Sequence, residues 1–415
     1  MSFYDYKLYA QKVAEHARNR ETNLKRRHIL KKQAEQLRKV KAGQKAAAKE
    51  PYLEIPADMQ LTREYVTGVT EKRRYNVVYA DYFERLAADR DDPALKDVSV
   101  KVRDCHKHWF GDHYVMQRVF DVHNVYLCNN KFCSNCQHLL QASRLKRFTP
   151  ILADLADEYD FYHCVLTVPN CPDWQLKGTI SRLFSAFTLI NRYFSGDSRI
   201  RGVDFDRYGY GGAVRCLECT VKSDGYHPHI HALLLLKKDL QLVKRHKNVF
   251  SYDRGIFKRS FSDLEILLQK MLYLLMNGEK VTAAALDRVP TGYSCTLDQI
   301  EGDEWKEVFK YVTKLTKDDK ETAALDYDQF VCLYDALYRR RVLQGYGKLY
   351  NIAKDDGIDG EVEAKYYQII ETLKLIEEPV DWSFALDELL VALYKGQITC
   401  ISKQSIQKYL NEVNA

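Results

Sequence analysis

Apolar and polar positions alternate in several short runs of this chain and recur every three to four residues in longer ones, which separates strands from helices. The run FYHCVLTVPN at 161–170 is β-branched and aromatic and stops at a proline, so it predicts a strand. AVRCLECTV at 213–221 and HIHALLLLK at 229–237 predict two more, joined across 222–228 by the turn-like KSDGYHP into an antiparallel hairpin. Short strand-like pieces, VSVKVRDC and HNVYLC among them, stand between 96 and 136. Helical spacing governs 176–195, where Leu183, Phe184, Phe187, Ile190 and Phe194 share a face, and also 134–159, 261–276 and 303–317. The tail reads as the helix VEAKYYQIIETLKLIEE, a break at Pro379, then the helix SFALDELLVALYKG. That order predicts an α+β fold: a central antiparallel sheet with flanking helices, a basic helical N-terminal segment and a mostly helical C-terminal one. The expected divisions are 1–95, 96–350 and 351–415.

Charge sharpens these divisions. Residues 1–50 hold 14 Lys/Arg against 5 Asp/Glu, a net of +9, whereas 355–390 hold 11 Asp/Glu against 2 Lys/Arg, a net of −9. The whole-chain value of +6 hides both blocks. The first suits a basic arm on DNA phosphates or a solvated helix. The second argues against phosphate contact and suits a protein surface. Over the 415 residues, a hydrophobic share of 46% and a charged share of 29% exclude a collagen and a mostly disordered chain. The longest apolar stretch, Ile266 to Met276, is interrupted by Gln269 and Lys270, and the N-terminus lacks a signal-peptide pattern, so a cytoplasmic protein without a membrane span is expected.

Candidate chemistry lies on the predicted hairpin. His229 and His231 stand two apart on a strand, so both imidazoles face one side while Ile230 faces the other. The ALLLL that follows marks a buried, rigid strand, which holds ring nitrogens at a fixed separation. Glu218, on the preceding strand, shares a face with Cys216 and Thr220 and can reach the pair; its other use is pairing with Arg215 or Lys222. Two imidazoles and a carboxylate leave open positions on a divalent ion, Mg²⁺ or Mn²⁺. His227 lies beside the turn, behind Pro228, in a structural or substrate-contact position.

A second group lies on the helix at 303–317, where Glu307, Tyr311 and Lys314 are spaced by four and three and share a face. A phenol with a carboxylate and lysines beside it is either an activated nucleophile or a half-buried residue on a solvated helix. Eleven cysteines include Cys128, Cys133 and Cys136, whose C-x2-C ending is a zinc-knuckle spacing. A tetrahedral Zn²⁺ site needs a fourth ligand, for which Cys105, His106, His108 and His138 are candidates. Lys131, Arg144, Lys146 and Arg147 are close in sequence and suit DNA contact, while Tyr226, Tyr208 and Tyr210 are candidates to stack on unpaired bases.

Four stretches together, Cys105 with YLCNNKFCSNCQ, FYHCVLTVPN, RCLECTVKSDGYHPHIHALL and EVFKYVTK, resemble the rolling-circle plasmid replication initiators of the His-hydrophobic-His (HUH) endonuclease superfamily. They span 105–317, about half the chain. The resemblance implies a nicking endonuclease and strand transferase with His229, His231 and Glu218 as ligands of the catalytic ion. Tyr311 is then the nucleophile that becomes joined to a 5′ phosphate, Glu307 the group that activates water to end the round, and Lys314 the basic residue after the tyrosine. It selects Cys105 as the fourth zinc ligand. It implies double- and single-stranded plasmid origin DNA, a host helicase and the replication machinery as partners, with a homodimer possible. Other readings are a relaxase or transposase of the same chemistry, and a zinc-containing DNA-binding protein without catalysis.

Overall fold

The computed structural model describes residues 53–222, 224–252, 255–301, 324–350, 360–403 and 405, with the backbone alone at 138, 140–147, 222, 248–252, 255–257 and 360–365. The basic segment 1–50 lies outside the described residues. In chain order the elements are α1 (Arg63–Arg90), α2 (Pro93–Asp104), β1 (His108–Tyr114), β2 (Val119–Val125), α3 (Ser134–Leu155), β3 (Tyr159–Thr167) and α4 (Asp173–Phe194). The hairpin strands β4 (Gly212–Lys222) and β5 (Gly225–Lys237) follow, then β6 (His246–Tyr252), β7 (Gly255–Phe261), α5 (Asp263–Met276), α6 (Ala283–Arg288) and β8 (Cys295–Gln299). The remainder is α7 (Tyr327–Leu337), β9 (Leu343–Gly347), α8 (Gly360–Ile376), β10 (Val380–Ala385), α9 (Leu386–Tyr394) and β11 (Thr399–Ile401). No helix among the described residues is long and apolar enough to cross a membrane.

The expected α+β architecture is present, as an antiparallel sheet flanked by helices. The chain forms two compact units, one from 1–74, 103–128 and 357–415, the other from 75–102 and 129–356.

The second unit contains the five-stranded sheet β8-β3-β5-β4-β9, antiparallel throughout. Its two faces differ. Helix α4 buries Leu176, Ile180, Leu183, Phe187 and Ile190 at three- and four-residue spacing. It lies on the side of Arg215, whose guanidinium sits 3.6 Å from the centre of the Phe184 ring. On the opposite face, Phe148 and Leu152 of α3 pack on Val214, Leu233, Leu235 and Leu349. Burial of these leucines anchors β5 by roughly 2 kcal/mol each. Further along β5, the same face carries imidazoles in place of leucines.

The first unit holds the four-stranded sheet β10-β1-β2-β11, with β11 parallel to β2 and the other pairs antiparallel. On one face Trp109, Phe120 and Val122 meet Leu386, Leu389 and Leu393 of α9. On the other, Tyr114 and Val119 meet Tyr366, Ile370 and Leu373 of α8. Gly111 allows β1 and β2 to close: a Cβ there would come within 1.9 Å of the Asp121 carbonyl oxygen.

Three local expectations change. VSVKVRDC is not a strand but the end of α2, because Leu95, Ser99 and Val102 are its buried positions and Val100 is exposed. Residues 383–385, expected to open the last helix, instead complete the strand β10, where Trp382 and Phe384 share a face and pair with Gly111 and Trp109. The hairpin turn is also tighter than expected, since Lys222 pairs with Gly225 and places His227 within β5. Gly225 takes φ +123°, which a side chain would resist.

Candidate metal centre

The site is set by register. In the β4–β5 pair, Glu218 stands opposite His229 and Cys216 opposite His231. Residues 227, 229 and 231 thus share the face of Glu218, as alternation along the sequence predicts. Pro228 interrupts nothing. Tyr226 turns both its N–H and C=O toward Cys171, on the side of β5 that β3 occupies, so the missing N–H of Pro228, two residues on, faces that side too. The β3–β5 ladder has already ended there, at Thr167 with His229.

The side chains converge. Nε2 of His229 lies 2.7 Å from Oε2 of Glu218, and Nε2 of His231 lies 3.0 Å from the same oxygen. Glu218 is 3% exposed and His231 7%. Burial pushes the Glu218 carboxyl upward, but hydrogen bonds from His229 and His231 outweigh it and hold the group well below the usual carboxylate range. The carboxylate therefore stays charged while buried, and without a cation it does so on imidazole protons. One atom from each residue lies within 4.8 Å of the others, a set that could hold a metal ion. Two imidazole nitrogens and a carboxylate oxygen with open positions fit a divalent cation that also meets a substrate.

The Nδ1 atoms face away from this point. That of His229 is 3.2 Å from the carbonyl oxygen of His227, and that of His231 is 3.0 Å from Nε2 of His163 on β3. His227 Nδ1 in turn lies 2.5 Å from Oδ1 of Asn170, whose amide donates to Asp224. Sequence reasoning did not single out His163 or Asn170. The signal for His163 was present: in FYHCVLT, Tyr162, Cys164 and Leu166 are buried, so His163 and Thr167 fall on the opposite face, that of the metal ligands.

The other expected residues are placed as follows. Tyr311, Glu307 and Lys314 lie outside the described residues. Arg144, Lys146 and Arg147 lie on α3, with the backbone alone described. Tyr226, expected to stack on a base, is 6% exposed, and burial pushes its phenol up. Tyr208 is also buried, and Tyr210 donates to Asn191.

The four cysteines fall two in each unit. In the first unit, Sγ of Cys105 is 3.3 Å from Nδ1 of His106. In the second, Sγ of Cys133 accepts from Asn76 Nδ2 at 3.1 Å and from Cys136 N at 3.4 Å, and Sγ of Cys136 accepts from Asn129 N at 3.3 Å. N–H bonds to sulfur favour the thiolate, the form that binds metal. The backbone takes a positive φ directly after Cys105 and after Cys128, at His106 (59°) and Asn129 (53°). Thiols are the donor type that Zn²⁺ prefers, and each unit offers a pair of them.

Comparisons with known proteins agree with this centre. The model of the Rep_1 family, described as "Replication protein", matches residues 119–250, which contain Glu218, His229 and His231 but stop before Tyr311. A curated relative, "Protein rep" of Streptococcus pneumoniae serotype 2 (strain D39 / NCTC 7466), is 25% identical over 236 residues, 55% of this chain. The chain spans 62% of the length of that relative. No solved structure gives a significant match. Family match, relative and metal-ligating cluster together support a Rep-like protein of the HUH superfamily.

Proposed function

We propose that this protein is a metal-dependent HUH nuclease that acts on DNA and, more specifically, initiates rolling-circle replication of a plasmid. The observation that carries the reading is the convergence of His229 and His231 on one oxygen of Glu218, on a sheet rigid enough to hold them. Mg²⁺ or Mn²⁺ held by these three residues would stabilise the charge that grows on the phosphate oxygens during cleavage.

The chain's own residues perform the rest. The phenol oxygen of Tyr311 attacks phosphorus, the bond to the 3′ oxygen breaks, and the 5′ phosphate becomes a tyrosyl ester. The 3′ oxygen takes a proton and leaves as the hydroxyl that primes synthesis. Lys314 favours the phenolate, because a neighbouring cation lowers the pKa of a phenol. Glu307 takes a proton from water when the round ends. Keeping the phosphate in ester form conserves the bond for later strand joining. Cys105, Cys128, Cys133 and Cys136 would hold Zn²⁺ as a scaffold, with Arg144, Lys146 and Arg147 of α3 as phosphate contacts. The partners are origin DNA, duplex and single-stranded, and the host helicase and replication proteins, in the cytoplasm.

The test is a supercoiled plasmid carrying its own origin, incubated with purified protein and Mn²⁺. A nicked circle with protein attached, mapped by peptide sequencing to Tyr311, is expected. An adduct on Tyr327, or cleavage indifferent to chelation, would overturn the assignment. Metal analysis should find one Zn²⁺ per chain, lost in Cys133→Ser.

A further inference from the structure

We infer that His163 is a positioning residue for the metal centre: it accepts a hydrogen bond from Nδ1 of His231 and so directs Nε2 of that ring at the ion. This rests on the reading of His229, His231 and Glu218 as metal ligands.

The argument begins with the protons. A neutral imidazole carries one, and the nitrogen that binds a cation must be the bare one. Nε2 of His229 and of His231 both face Glu218, so each ring must carry its proton on Nδ1 when the ion is bound. Each Nδ1–H then needs an acceptor. For His229 the backbone supplies it, the carbonyl oxygen of His227 at 3.2 Å. For His231 a side chain stands there, Nε2 of His163 at 3.0 Å. The two ligands are thus held by different means, one by main chain and the other by a side chain that substitution can remove.

Packing adds a second constraint. The His163 and His231 rings are 5.2 Å apart between centres and 23° from parallel. Rotation of His231 about its Cβ–Cγ bond would break both the stack and the bond. The strand supports the arrangement: His163 belongs to β3, whose Val165 pairs with His231 and whose Cys164 and Leu166 are buried in the core. Outer partners of this kind fix tautomer and ring angle, and their loss costs about 10- to 100-fold in metal affinity.

Two substitutions separate the bond from the stack. His163→Phe keeps a flat ring against His231 and removes the acceptor. His163→Gln places an oxygen near the position of Nε2. Mn²⁺ affinity is read by the loss of the free-ion EPR signal, with the melting temperature of metal-free protein measured in parallel. His163→Phe is expected to bind Mn²⁺ about 10-fold or more weakly at an unchanged melting temperature, and His163→Gln to recover most of the loss. Equal affinity for His163→Phe and the parent would overturn the role of His163 while leaving the metal centre intact. No Mn²⁺ binding by the parent protein would instead overturn the centre itself. Should His163→Phe fail to fold, the parent saturated with Mg²⁺ decides. A through-bond ¹⁵N coupling between His231 Nδ1 and His163 Nε2 supports the bond, and its absence overturns it.

Discussion

Both units bury a carboxylate beside imidazole on a sheet, and they do opposite things with it. Glu218 receives two imidazoles on one oxygen, and their hydrogen bonds overcome the effect of burial, so it stays ionised. Asp121, on β2, is 0% exposed and receives one phenol and one imidazole: Tyr366 donates at 2.6 Å and His123 Nε2 lies 2.9 Å away. Its Oδ1 has no hydrogen-bond partner among the described residues, and Asp112 stands directly opposite it in the ladder. Burial there wins, and the Asp121 carboxyl is pushed up. Similar ingredients thus give an anion ready for a cation in one sheet and a group that favours its proton in the other. Each carboxylate takes two partners on one oxygen, so their kind makes the difference: two imidazoles, which can carry positive charge, on Glu218, against one imidazole, a neutral phenol and the nearby Asp112 carboxylate on Asp121.

Removing an imidazole should have the largest effect. His231→Ala is expected to lower origin nicking by at least about 100-fold, whereas Tyr366→Phe in the other sheet leaves it unchanged. Ordinary nicking by His231→Ala would erase the distinction between the sheets. Next comes the charge itself: Glu218→Gln should weaken Mn²⁺ binding about 10-fold or more, with Asp121→Asn indistinguishable from the parent by the same EPR titration.

Acid sensitivity should arise in the first unit. His113 lies among Phe120, Trp382 and Phe384, and burial lowers its pKa from 6.5 to about 4. The unfolded chain takes up this proton first as pH falls. The stability tied to a neutral His113 is therefore full above about 6.5 and declines toward about 4. Urea midpoints of His113→Phe should be flatter over that window, by roughly 2 kcal/mol at its acid end after allowance for partial exposure. The smallest effect concerns Asp121. Its raised pKa means its contribution is full below its unfolded value and is lost as pH rises through the folded one. Asp121→Asn, which resembles the protonated form, should hold stability at pH 7 within about 1 kcal/mol of the parent. A large loss would show that the ionised form supports the fold.

The centre of the second unit's sheet was legible because β3 ends just before a proline and β4 and β5 follow one another across a turn, whereas β8 and β9 were not read from the sequence. Parity alone placed Glu218, His229 and His231 on one face. The first sheet was not, because β10 and β11 join β1 and β2 from more than 250 residues away, and only pairing shows the period of Trp382 and Phe384. The valines at 98, 100 and 102 misled for a related reason: alternation of β-branched residues resembles a strand, but burial at Leu95, Ser99 and Val102 follows a helical face. His163 was overlooked although alternation put it on the ligand face, because the use of a lone strand histidine shows only once its neighbour across the ladder is known.

The interleaving of the two units has a consequence for how the molecule is made. All the segments of the second unit have been synthesised once residue 356 is added, but the first still lacks α8, β10, α9 and β11. Strand β11 must find Val119–Asp121, emitted some 280 residues earlier. Closing so long a loop adds little entropy cost over a loop half its length, about 0.6 kcal/mol, so the delay is one of time rather than of equilibrium. During that interval β1 and β2 wait with an unpaired edge on either side, and a nascent-chain chaperone would find its binding site there.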